Sequence, residues 1–234
     1  MDEYPPREPE VPPPEPPKVP PPSAEKPPEP PPTMPSWEHT DQYGFFGALV
    51  RTIAEVLFHP ETTFRNLKII GGIGQPFLFG WLLQSVCSLI SWYQTRKMLF
   101  QSLESFMPRM GHFHPDFSFF PSLIFLIPVG VAVGLFIWTA ILHLCLMITG
   151  GTNRNMETTF RVTAYSTGAT AIWSIIPMVG SFVTFVWQIV CLVIGLKEAH
   201  RTTYGRVILA LLLPLLVCCG LATMMMSVFI GKLL

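Results

Sequence analysis

The residues best suited to chemistry lie in "VIGLKEAHRTTYGRVILALLLP", residues 193–214, where Lys197, Glu198, His200, Arg201, Thr202, Thr203, Tyr204 and Arg206 interrupt two strongly apolar runs. If the preceding run continues as a helix, Glu198 stands three residues before Arg201 and can pair with it, while Lys197 and Arg201, four apart, share an outward face. Gly205 then permits the chain to break. A basic edge of this kind suits anionic lipid headgroups or an acidic patch on a partner protein. A second cluster, "TGGTNRNMETTFRVTAYS", adds Arg154 and Arg161 to the candidates. There Gly150 and Gly151 stop one helix, Asn153 or Asn155 caps the next, and Glu157 to Arg161 is a favourable i to i+4 pair.

Other groups are more isolated. His143 lies within an apolar run, and an ionisable side chain at that depth is a functional candidate by default; hydrogen bonding to a neighbouring helix is its simplest role. Tyr165 and Ser166 join it as polar intramembrane candidates. In "GHFHPDF", an extended backbone would turn His112, His114 and Asp116 one way toward a transition metal, but three ligands in a Phe-rich loop, unsupported elsewhere, do not amount to a metal site. All five cysteines fall in apolar runs, where a thiol packs as a small hydrophobe, so neither a disulfide framework nor zinc is implied. There is no GxSxG, HExxH or phosphate-cradling glycine loop. No catalytic residue, cofactor or metal is therefore expected, and the chain reads as a non-enzyme.

The elements that must position these residues follow from composition. Half of the 234 residues are hydrophobic, 13% are charged and the net charge is zero, a balance that leaves a soluble globule short of polar surface. The absence of a basic field also argues against nucleic-acid binding. A hydrocarbon core of ~30 Å needs about 20 apolar helical residues. Five crossings are expected, at about 70–93, 121–149, 159–176, 179–196 and 207–230. The third, rich in hydroxyls, belongs inside the bundle, away from lipid. It joins the fourth through "PMVG", which forces an antiparallel hairpin turning at Pro177 to Gly180. Within the second, Gly130 and Gly134 are one helical turn apart and predict close helix packing, either internal or between copies of the chain.

Ahead of these, "FFGALVRTIAEVLF", residues 45–58, predicts an amphipathic helix at the headgroup level, its apolar face in the acyl boundary and Arg51, Thr52 and Glu55 on the other side, ending at His59 before Pro60. Seventeen of the 25 prolines lie between Pro5 and Pro35, which predicts a disordered, extended tail over residues 1–42 preceding a membrane domain at 43–234. No signal-peptide pattern is seen, so the first crossing is expected to direct insertion. Counting cations near the membrane, Arg51, Arg65, Lys68, Arg154, Arg161, Lys197, Arg201 and Arg206 fall on one side and Arg96, Lys97, Arg109 and Lys232 on the other. That bias predicts a cytoplasmic amino terminus and an external carboxyl terminus.

The order of a "HPETTF" lead-in, the "GGTNRNMETTFRVTAYST" segment and the "IWSIIPMVGSFVTFVWQIVCLVIGLKEAHRTTYGRVILALLLP" block resembles the Ypt-interacting-protein (Yip) family, especially its bacterial branch, over about residues 45–230. The most specific parts are Phe160-Arg161 to Tyr165, the Pro177/Gly180 hairpin, Trp187 and Gly195-Leu196-Lys197 to His200. The resemblance implies five membrane helices with a cytosolic amino terminus, and in eukaryotes an association with Rab-type GTPases and vesicle traffic. The acidic, leucine-rich segment of eukaryotic members is replaced here by the proline tail, which points to a bacterial inner membrane rather than Golgi or endoplasmic-reticulum membranes. The expected function is a membrane scaffold or adaptor whose partners are the bilayer, a cytosolic protein and further copies of itself. A transporter or channel through the polar third crossing, lined by His143 and Tyr165, is the alternative.

Overall fold

The computed structural model describes residues 35–67, 71–106 and 120–233, and every regular element among them is helical. A 3-10 turn, Ser36–His39, leads into α1 (Thr40–Tyr43). There follow α2 (Phe45–Phe58), α3 (Pro60–Arg65), α4 (Gly74–Phe106), α5 (Phe120–Ile148), α6 (Met156–Thr170) with a 3-10 turn Ala171–Ile175, α7 (Gly180–His200) and α8 (Tyr204–Leu233). Residues 1–34 and the "GHFHPDF" loop lie outside the described residues. Residues 36–43, read from sequence as part of the tail, are helical instead and dock on the bundle, with Trp37 buried.

Two helices, Ile124–Ile148 and Gly180–His200, are long and apolar enough to cross a membrane, and Tyr204–Gly220 is a shorter apolar helix. A core helix of a soluble protein would be mostly buried. In these two, only 11% and 28% of the most apolar stretch is covered by the rest of the chain, and Phe125, Leu126, Phe182 and Phe185 point outward. Such a surface needs an apolar solvent. The first expected crossing differs from its expected bounds, since α4 continues to Phe106 over 33 residues, about 50 Å at 1.5 Å per residue.

α6 is the centre. It packs against α2, α4, α5 and α7, and almost every residue from Thr158 to Thr170 is buried. Two of its hydroxyls bond within the helix: Thr163 and Thr170 donate to the Thr159 and Ser166 carbonyls, both at 2.8 Å, which settles polar groups that hydrocarbon could not. Fifteen helical residues followed by five in a 3-10 turn extend about 32 Å.

Glycines set the closest approach in this bundle, but not the ones expected. A Cβ on Gly80 of α4 would lie 2.7 Å from the Ala164 carbonyl oxygen, and one on Gly168 of α6 would lie 2.9 Å from the Gly80 Cα. Around Gly130 and Gly134, by contrast, an added Cβ would meet nothing within 4 Å. No close helix contact is therefore made at either glycine within the chain; at Gly134 the face of α5 fronts a gap between the helices rather than another helix's backbone.

Local chemistry explains the breaks. α5 stops in a Schellman motif in which Gly151 N donates to the Leu146 carbonyl and Gly150 N to Met147, with Gly150 left-handed at φ 66° as expected. α7 stops the same way, Thr202 N donating to Lys197 O and Arg201 N to Glu198 O, but here the left-handed position is Arg201, at φ 50°. The break expected at Gly205 falls earlier, and Gly205 is helical in α8. Between α6 and α7, the Pro177 to Gly180 turn forms as the sequence requires. Gly180 N bonds Ile176 O, and a Cβ there would sit 2.2 Å from the Trp173 carbonyl oxygen.

Candidate functional site

Two polar constructions organise the bundle. The first is built on Arg161, one turn into α6 and completely buried; its Nη1 donates to the Gly72 carbonyl at 2.9 Å and its Nη2 to the Glu38 carboxylate. Tyr165, one turn further along α6 and also buried, donates its hydroxyl to the same Glu38 oxygen at 2.9 Å. The Glu38 side chain is 7% exposed, so the pair is largely removed from water. The surrounding segment is fixed at several further points: Trp37 N donates to Thr52 Oγ1 at 2.7 Å, its indole N–H to the Gln75 carbonyl at 2.9 Å, and Ser36 N to Glu55 at 3.0 Å. Thr52 and Glu55, placed on the solvent side of α2 by pattern, thus face the protein. The outward residues of α2 include Phe46, Val50 and Arg51.

The second lies where α5, α6 and α7 meet. Thr159 Oγ1 stands 2.8 Å from His143 Nδ1 and 2.9 Å from His200 Nε2. A hydroxyl carries one proton, so it donates to one imidazole and accepts the N–H of the other. His143 of α5 is thus tied to the neighbouring α6. His200, expected at an exposed basic edge, is buried instead, because the last turn of α7 packs inward against Thr159.

Just outside these histidines the two charged turns touch. Asn153 Nδ2 donates to the His200 carbonyl at 3.0 Å, and Arg206 Nη1 to the Gly150 carbonyl at 3.1 Å. Arg201 and Arg206 are exposed there, and Arg154 and Lys197 are partly exposed. Arg154 has its pKa lowered, first by burial and then by the nearby Arg201 guanidinium, which marks a convergence of like charge. Glu198 does not pair with Arg201 as expected; it bonds Arg65 of α3 at 3.0 Å and its neighbour Lys197, and the bond to Glu198 raises the pKa of Arg65. Lys197 also lies 4.8 Å from the centre of the Tyr204 ring. The expected Glu157 to Arg161 pair is likewise replaced: Glu157 accepts from the backbone N–H groups of Gly71 and Gly72, at 3.2 and 2.8 Å.

Of the basic candidates, then, Arg154, Lys197, Arg201 and Arg206 come together at one end of the bundle, whereas Arg161 and His200 are interior. Tyr165 and Ser166 are buried as well. Sequence reasoning missed Trp37, Glu38 and Glu55. One signal was available, a tryptophan and an acid in "PSWEHT" immediately after a tract too poor in apolar residues to fold. Trp187, singled out in the resemblance, donates its indole N–H to the Leu57 carbonyl at 3.2 Å and so closes one of the open carbonyls at the end of α2.

No curated protein and no solved structure matches the chain. The family model described as the Yip1 domain matches residues 54–226, which takes in α3 to α7 whole, the buried α6 and both charged turns. The chain belongs to the Yip1-domain family and is a membrane protein of the Yip type.

Proposed function

We propose that this protein is a non-enzymatic membrane scaffold of the Yip type that recruits an acidic partner, protein or anionic membrane, to the surface formed by its two joined turns. The observation that carries the reading is the convergence of Arg154, Lys197, Arg201 and Arg206 where Asn153 and Arg206 tie the turns together. Among the described residues, neither Arg154 nor Arg201 has a carboxylate partner, so each retains charge for an external anion. The buried pairs beneath hold the turns in register. In the topology we infer, α4, α5, α6 with its 3-10 turn, α7 and α8 each pass through the bilayer, with the amino terminus and both charged turns in the cytoplasm. Removing buried Arg161 from the cation count leaves seven against four, and the positive-inside bias keeps its sign. A bacterial inner membrane is the location we favour, with the proline-rich tail as a spacer on the cytoplasmic side.

Purified protein in neutral nanodiscs, challenged with vesicles containing phosphatidylserine and with membrane extracts, tests the surface. The triple variant Lys197→Ala/Arg201→Ala/Arg206→Ala should bind anionic vesicles at least about tenfold more weakly than wild type at low salt, with the wild-type signal falling as salt rises. Unchanged vesicle binding and unchanged co-purifying proteins would remove the turns from the proposal.

A further inference from the structure

Midway along α5 and α7, a cavity of about 220 Å³ lies between α4, α5, α6 and α7, lined by Gln84, Gly134, Leu135, Trp138, Thr167 and Gln188 among others. It is separate from the basic turns and from the Arg161 and His143 clusters, none of whose side chains line it. Its position follows from the helices: Gln188 is the ninth of the 21 residues of α7, and Gly134 is the fifteenth of the 29 of α5. Both are more than 10 Å from either helix end at 1.5 Å per residue. Gly134 is exposed and has no atom within 4 Å of where a Cβ would stand. The opening beside it is therefore on the outer face of α5, next to exposed Val133 and Ile137.

The chemistry of the wall is neutral and hydrogen-bonding. Gln188 Nε2 donates to Thr167 Oγ1 at 3.3 Å and Gln84 Nε2 to Ser88 Oγ at 3.3 Å. These bonds use one N–H of each amide. Both glutamine carbonyl oxygens remain as acceptors, and the Thr167 hydroxyl proton and the second N–H of each amide remain as donors. At this depth in hydrocarbon an unanswered polar group costs several kcal/mol, so the wall calls for an occupant carrying both donors and acceptors. A charged headgroup is excluded by the same argument, because nothing in the lining would neutralise it. A phospholipid headgroup is in any case anchored at the surface.

We propose that this cavity is an intramembrane site for the head of a neutral glycerolipid with a free hydroxyl, of the diacylglycerol class. The hydroxyl donates to a glutamine carbonyl, the ester carbonyls accept from Thr167 and an amide N–H, and the acyl chains leave past Gly134 along the apolar face of α5. The site rests on α5 and α7 lying in the bilayer, which retention of the protein in membranes after alkaline carbonate washing reports separately.

Full-length protein in phosphatidylcholine nanodiscs is exposed to a photoreactive diacylglycerol, to the same compound with its hydroxyl acetylated, and to a phosphatidylcholine bearing the same photoreactive chain. The expected result is labelling by the free-hydroxyl probe of peptides around residues 131–138 and 184–190, competed by unlabelled dioleoylglycerol. Labelling should fall at least about fivefold in Gln84→Leu/Gln188→Leu and be abolished in Gly134→Phe, whose Cβ has no atom within 4 Å and whose ring would occupy the mouth. The proposal is overturned if the acetylated or phosphatidylcholine probe labels equally well, or if labelling survives in Gly134→Phe. It is also overturned if Thr167→Cys, in a background lacking the five native cysteines, reacts with a membrane-impermeant thiol reagent, since that outcome describes a water-filled path.

Discussion

Replacing Glu38 with alanine should cost about 3–5 kcal/mol, because it strands a guanidinium that has no access to water. The size of the effect comes from burial. An exposed ion pair contributes under about 1 kcal/mol, but Arg161 is 0% exposed and the Glu38 side chain 7%. Without Glu38, Arg161 keeps the Gly72 carbonyl on Nη1 but loses the acceptor on Nη2, and the buried Tyr165 hydroxyl loses its acceptor too. Glu38→Gln retains an oxygen at the same place and should lose less, roughly 1.5–3 kcal/mol. In a chain of this size each kcal/mol corresponds to about 2–4 °C in melting temperature, so the alanine variant should melt about 6–20 °C below wild type. The assay is built into the sequence. Cys87, Cys145 and Cys191 are free and buried, so a thiol-reactive dye reports unfolding in detergent once exposed Cys218 and Cys219 are changed to serine. The double variant Glu38→Leu/Arg161→Met, which removes both charges, should recover part of the loss. If Glu38→Ala melts with wild type, or if the effects of the two sites simply add, the buried pair does not anchor the amino-terminal segment and the reasoning fails.

Further expectations concern the rest of the bundle. Thr159→Val leaves two imidazole nitrogens without their shared partner and should cost roughly 1–3 kcal/mol for each group left unpaired inside, while Thr159→Ser should retain near-wild-type melting. Gly80→Ala and Gly168→Val force backbone apart at the α4–α6 crossing and should destabilise by about 1–3 kcal/mol, whereas Gly130→Ala, facing open space, should change melting by no more than about 0.5 kcal/mol in the unfavourable direction. Arg201→Gly relieves a left-handed residue at the end of α7 and should stabilise by about 1 kcal/mol while weakening binding to anionic vesicles. A melt and a vesicle assay moving in opposite directions would separate the two roles of Arg201.

Much of the local structure was legible because it depends on near neighbours. Pro60 ended α2 at His59, Gly150 and Gly151 ended α5, and Pro177 to Gly180 made the hairpin, each for a reason written in two or three consecutive residues. The interior place of α6 could also be read, since a helix carrying Thr163, Tyr165, Ser166 and Thr170 has no stable position against lipid. The break near residue 201 was misplaced, because a left-handed arginine is tolerated only where the surrounding bonds hold it, and glycine at 205 looked the easier choice.

The sequence by itself determined that this chain is helical, that its long apolar runs need a hydrocarbon environment, and that two connectors carry five of its fifteen lysines and arginines. Tertiary structure alone decided which charges are available. Arg161 and Arg201 belong to the same class of residue in adjacent turns, yet one is sealed against Glu38 and the other is exposed. His200 is tied to His143 through Thr159, and Glu198 reaches across to Arg65, 133 residues earlier in the chain. Glycine spacing on α5 likewise could not reveal that the close crossing is at Gly80 and Gly168. The physical reason is common to all of these: a helix's periodicity fixes which residues share a face, but which neighbour that face meets depends on long-range packing, and the energy of a polar group depends on that neighbour.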